Sequence, residues 1–138
     1  MTKREAILAA AASQIDATNP VGTAVFRNRM DGFARGESIA VVVRPVSDNP
    51  QFTVIGPIDS TFTFAVDVMI MATESGIQNT ADDVAEAAYS ALMAGIPGTM
   101  DITPGPHTWD FEGGDLAAMI LTMEFNAFYR HSWGSLVT

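Results

Sequence analysis

Apolar residues recur along this chain with two distinct periods. Ile7, Leu8, Ala11, Ala12 and Ile15 repeat at helical spacing, which predicts an amphipathic helix over residues 2–16. Thr2 and Glu5 have the spacing of a capping box, which satisfies free N–H groups in the first turn. Asn19-Pro20 should stop this helix, because proline disfavours helix in the residue before it. A second helix is predicted over 80–94, with Ala81, Val84, Ala85, Ala88, Ala91 and Leu92 as its buried stripe. Asp82, Asp83 and Glu86 fall near its N-terminus, where the helix dipole favours carboxylates, and Gly95, Pro97 and Gly98 end it.

Elsewhere the period is two. Phe62, Phe64, Val66, Val68 and Ile70 occupy one face of a strand over 61–71. Thr61, Thr63, Ala65, Asp67, Met69 and Met71 occupy the other. A second long strand is predicted over 117–130, with Met119, Leu121, Met123, Phe125 and Tyr129 apolar and Thr122, Glu124, Asn126 and Arg130 between them. Shorter strands are expected at Ala24–Phe26, at Ile39–Val43 (apolar enough to be covered on both faces) and at Gln51–Ile55. Asp31-Gly32, Arg35-Gly36 and Ser47-Asp48-Asn49-Pro50 read as turns, and Pro45 as the end of the 39–43 strand. Pro104-Gly105-Pro106 reads as a turn or loop, and Glu112-Gly113-Gly114-Asp115 as a hairpin tip.

These elements predict an α+β fold: a mostly antiparallel sheet with two long strands, and two main helices packed on one face. The expected organisation is a single domain, 1–138: the N-terminal helix, sheet and second helix over 24–130, and a tail over 131–138. A domain of this length has a diameter of roughly 37 Å. The 61–71 strand, about 36 Å long, would cross it, and the 117–130 strand, about 46 Å, would overshoot it. Part of the sheet is therefore expected to bend, or to project and meet another subunit.

Composition narrows the functional classes. The net charge is −9, with 48% hydrophobic and 17% charged residues, which excludes intrinsic disorder. Lys3 is the sole lysine, so a phosphate-neutralising nucleic-acid module is not expected. Cysteine is absent, which removes disulfides, Cys-ligated zinc and Cys nucleophiles. Eight Met suggest an adaptable apolar interior or interface. No apolar run approaches the ~20 residues of a bilayer span, and Glu5 with the periodic pattern argues for a helix rather than a signal peptide in 1–15.

Candidate chemistry is sparse. His107, Asp110, Glu112 and Asp115 are the densest set of potential ligands. In an extended hairpin 110 and 112 share a face while 107 and 115 take the other, so the oxygens diverge. They read as a solvated acidic hairpin rather than as a metal site. Asp67 sits mid-strand on the less apolar face, and Glu124 adjoins it if the two long strands pair. Side by side, such carboxylates raise a pKa and suit acid–base work; a polar face open to solvent or to a ring lumen needs no such role. There is no phosphate loop and no nucleophile elbow, and nothing supports a Ser-His-Asp arrangement. Arg27, Arg29, Arg35 and Arg44 cluster within 18 residues, as expected of a subunit interface or of a solvated surface. Glu74, Asp82, Asp83 and Trp133 complete the candidate interface set; Trp133 either folds back or anchors a partner.

Taken together, several segments resemble the tail terminator proteins of long-tailed bacteriophages, also termed tail completion or minor tail proteins. They are the N-terminal helix, Thr23-Ala-Val-Phe-Arg27-Asn-Arg29, GESIAVVVRP (36–45), FAVDVMIMATE (64–74), ADDVAEAAYSALM (81–93) and AAMILTMEFNAFYRHSWGSL (117–136) with its Tyr129-Arg130 pair. The Gly- and Pro-rich stretch 95–106 lies outside the resemblance. It implies a structural virion protein without cofactor or catalysis, assembled in the host cytoplasm. The family forms a ring, commonly a hexamer, on the tail tube, halts tube growth and meets the head-side connector or head-completion protein. DNA then passes through the ring. Asp67 and Glu124 would be lumen-facing acids, and an acidic lining would let DNA slide without sticking. Two alternatives stay open: another neck or tube component, and a small enzyme or ligand-binding domain built on Asp67, Glu124 or the 107–115 cluster.

Overall fold

The computed structural model describes residues 1–18, 24–27, 39–51, 56–72, 77–112 and 117–138. Its elements are α1 (Lys3–Thr18), β1 (Ala24–Arg27), β2 (Ile39–Gln51), β3 (Ile58–Ala72), α2 (Ile77–Met93), β4 (Asp101–Glu112) and β5 (Ala117–His131). The strands form one sheet in the order β1-β2-β3-β5-β4. β1 runs parallel to β2; every other pairing is antiparallel. This is the expected α+β architecture. The two long central strands pair over their full length, from Ile58 opposite His131 to Ala72 opposite Ala117.

The period-two pattern becomes two unlike faces. Phe62, Phe64, Val66, Val68 and Ile70 of β3 and the odd-numbered residues from Met119 to Tyr129 of β5 are buried in one core. Ile7, Leu8, Ala11 and Ile15 of α1 and Ala81, Val84, Ala88 and Leu92 of α2 close that core, so both helices lie on the same face. Phe64 and Phe125, paired across the strands, stack with ring centroids 5.6 Å apart, and Phe62 and Tyr89 extend the aromatic row. Such pairs add about 0.5–1.5 kcal/mol beyond the area they bury.

Local chemistry sets the helix ends. Thr2 Oγ1 accepts from the Glu5 N–H at 3.2 Å, the cap predicted from spacing. At the other end of the layer, Gly95 has φ +111° and its N–H donates to the Leu92 carbonyl, a left-handed stop for α2. Gln14 of α1 donates from Nε2 to the carbonyls of Ala91 and Gly95, both at 2.9 Å. It thereby satisfies acceptors that α2 cannot pair internally and ties the two helices together.

Four expectations change. Pro45 does not end a strand, and Ser47-Asp48-Asn49-Pro50 is not a turn: β2 runs on to Gln51, paired with β3 throughout apart from a bulge between Pro45 and Ser47. β1 covers only Ala40–Val43, so among the described residues the rest of β2 is a sheet edge, where proline is tolerated. Likewise Pro104-Gly105-Pro106 lies inside β4, the opposite edge strand, where the register breaks between Pro104 and His107. Gly105 packs closely there: a Cβ would come within 3.1 Å of the Glu124 Cβ and 3.2 Å of its carbonyl oxygen, tighter than ordinary contact. Finally, α2 begins at Ile77, so Asp82 and Asp83 lie beyond its first turn. The Asn19-Pro20 helix stop, the 31–36 turns, most of the 51–55 strand and the Gly113–Asp115 part of the hairpin tip lie outside the described residues.

Phe64 is fully buried at the centre of the aromatic row. Phe64→Ala should cost about 3–5 kcal/mol, read from the midpoint of urea unfolding at unchanged slope.

Candidate functional site

The face turned away from the helices is polar and ordered in rows. Arg44, Ala65 and Glu124 stand side by side on β2, β3 and β5; the next row is Val42, Asp67 and Thr122. Ala65 is small and fully buried between its two charged neighbours. The Arg44 side chain crosses to the adjacent row, donating from Nε to Asp67 Oδ2 at 2.6 Å and from Nη2 to Oδ1 at 3.4 Å. Thr122 Oγ1 donates to Asp67 Oδ1 at 2.7 Å. The hydrogen bond to Asp67 and the negative charges of Asp67 and Glu124 raise the Arg44 pKa above its ordinary value, partly opposed by burial. The face continues with Thr63 donating to Asn126 at 2.8 Å and Arg130 bridging Asp59 at 2.7 Å. The Arg130 guanidinium holds the exposed Asp59 carboxyl below its usual range.

Asp67 and Glu124 therefore share a face, but they do not stand side by side. Asp67 is opposite Thr122 and is occupied by Arg44, an arrangement suited to a fixed polar surface rather than to a proton-transferring pair. Along this face the described acids are Asp59, Asp67, Asp101, Asp110 and Glu124, against Arg44 and Arg130.

Two further polar groups sit at the helix side of the sheet, where β2 and β5 meet α1. Tyr129 is buried, and its hydroxyl donates to Asp48 Oδ2 at 2.6 Å; Arg4 of α1 reaches the same oxygen at 3.2 Å. Burial, then the hydrogen bond to Asp48, pushes the Tyr129 phenol up to about 12. Ser60 and His131 are also buried and lie 3.1 Å apart, between Oγ and Nε2. His131 Nδ1 faces the carbonyls of Ser132 and Ser135 at 3.2 and 3.0 Å. Nδ1 thus donates toward these carbonyls, and Nε2 lies against the Ser60 hydroxyl. Among the described residues no carboxylate orients this imidazole, and the buried pair pins the C-terminal segment to the sheet.

The third feature is a groove of about 370 Å³ between α2 and β4, lined by Tyr89, His107, Trp109, Leu121 and Met123, with Asp82 and Glu86 at its rim. Trp109 and Phe111 extend β4 on the helix side of the sheet and remain 48% and 61% exposed.

Of the predicted interface residues, Arg44 has its partner within the chain, Asp82 and Asp83 are exposed on α2, and Trp133 is exposed in the C-terminal segment. Arg27 stands opposite Val43 at the end of β1. Arg29, Arg35 and Glu74 lie outside the described residues, as does Asp115. His107 and Asp110 occupy opposite faces of β4, and no group of three His, Asp or Glu converges on a metal position among the described residues. Among these residues, no helix is long and apolar enough to cross a membrane. The Asp48–Tyr129 and Ser60–His131 pairs escape the sequence because 47–50 reads as a turn and 131 as the start of a tail. The alternation of Trp109 with Phe111 was a legible sign of the groove's strand.

Asp67→Ala should cost about 1–2 kcal/mol in urea unfolding, since Thr122 and the partly exposed Arg44 lose their acceptor. Tyr129 ionises at a higher pH folded than unfolded, so its contribution is complete below about pH 10 and is lost as pH rises through about 12. An ultraviolet phenolate titration should resolve a step near 12 that Tyr129→Phe removes.

No known protein family matches the chain, and no curated protein does. Solved structures do match. A chain from the virion of a native gene transfer agent particle is 19% identical, with TM-score 0.63 over 88% of this chain and 94% of that one. A second solved structure is 13% identical, with TM-score 0.51 over 89% of this chain and 94% of its own. At these identities the likeness establishes the shared fold.

Proposed function

We propose that this chain is a structural protein of a phage-type virion. In this reading it forms a ring, a hexamer, on the end of the tail tube. The ring ends tube polymerisation and offers the surface that the head-side connector or head-completion protein meets. The observation that carries the reading is the fold match, over 88% of this chain, to a chain of a gene transfer agent virion. It agrees with the resemblance of segments 36–45, 64–74, 81–93 and 117–136 to tail terminators.

The site geometry supports a surface role over a catalytic one. Asp67 is held by Arg44 and Thr122, and the Ser60–His131 pair is buried. The rowed polar face, with its excess of carboxylates, suits a lumen through which DNA passes without adhering. The central strands, each about 50 Å long at 15 residues, suit a subunit that projects toward neighbours.

The test is electron microscopy of particles assembled without this chain. Tubes of uncontrolled length, unjoined to heads, are the expected result. Absence of tubes would make the chain a tube protein, and tubes of normal length that fail to join would make it a head-completion protein.

A further inference from the structure

The groove between α2 and β4 leaves Trp109 exposed beside two carboxylates, Asp82 and Glu86, and Phe111, exposed too, follows two residues further along β4. The opposite end of the sheet has the complementary character. There Trp133, Leu136 and Val137 are 63%, 39% and 57% exposed. Lys3 stands against them: its N–H donates to the Leu136 carbonyl at 2.9 Å and its Nζ to the Arg130 carbonyl at 2.7 Å. Among the described residues the Lys3 ammonium has no carboxylate partner, unlike Arg4, Arg44 and Arg130.

We infer that the α2–β4 groove receives the 132–137 segment of a second copy of this chain. Trp133 seats beside Trp109, and Lys3 faces Asp82 and Glu86.

A chain cannot make this contact with itself. Trp109 pairs with Leu121, whereas the C-terminal segment leaves β5 after His131, ten residues and about 33 Å further along the strand. Residues 132–137 reach at most about 20 Å when extended, and their Leu136 is tied to the start of α1. The groove volume lies within the range of about 300–1,000 Å³ of small-molecule pockets, ample for an indole, and Trp is among the residues enriched at interface hot spots. Acid on one surface meets ammonium on the other, which favours this pairing over groove against groove. The two surfaces differ, so a pair of copies still presents one groove and one segment to further copies, and repetition gives a ring or an open chain. The inference rests on the ring reading for closure only.

The experiment is light scattering on the full chain, the W109A and W133A variants, and their equimolar mixture. Both Trp are exposed, and an unchanged far-ultraviolet spectrum and Tm will confirm that the variants fold. The parent should assemble, and each variant alone should associate at least ~30-fold more weakly. The mixture should form dimers and stop, because it retains one intact groove and one intact segment. Asp82→Lys should weaken assembly, and Lys3→Glu in the same chain should restore it. A parent that assembles while either variant matches it would overturn this contact and leave the ring reading standing. A parent that stays monomeric at high concentration would also overturn it, and the tube lengths would then judge the ring reading alone.

Discussion

The register between β3 and β5 is the constraint from which the rest of the structure follows. Fifteen consecutive residue pairs run from Ile58–His131 to Ala72–Ala117 without a break. In a strand the side-chain period is two, so a slip of one residue would turn Phe62, Phe64 and Val66 outward and bring Asp67 beneath the helices. The register is fixed from both sides. Phe64 against Phe125 locks it on the dry face, and Thr63–Asn126, Asp67–Thr122 and Asp59–Arg130 lock it on the wet one. The helices then have one apolar surface to cover, and the polar rows have one surface to occupy.

The charges on the wet face depend on a small residue. Ala65 leaves room between β2 and β5 for the Arg44 stem to lie across the sheet and reach Asp67 in the neighbouring row. A larger residue there would lift Arg44 away and leave Asp67, 9% exposed, with Thr122 as its described partner. The face is therefore a lattice of paired groups, and among the described residues its carboxylates outnumber its guanidinium groups.

Legibility in the sequence followed the strength of each local signal. The alternation over 61–71 and 117–130 and the helical spacing of Ile7, Leu8, Ala11 and Ile15 gave the correct faces, because burial acts on every residue of those stretches. Thr2 as a cap was readable because its partner is three residues away. Ser47-Asp48-Asn49-Pro50 and Pro104-Gly105-Pro106 misled because turn preferences are local, whereas their strand pairing is imposed by neighbouring strands β3 and β5. Greater separation hid the site. Asp48 and Tyr129 are 81 residues apart, and the groove forms only when α2 and β4 come together on one side of β5.

Proline marks both margins of the sheet: Pro45 and Pro50 on β2, Pro104 and Pro106 on β4. Each lacks the N–H that an incoming strand would need, and a register break accompanies each margin. Backbone-to-backbone extension is thereby discouraged at the very places where sheets fuse into fibrils. A chain with such margins can reach high concentration without edge-to-edge growth, and association is left to contacts between side chains.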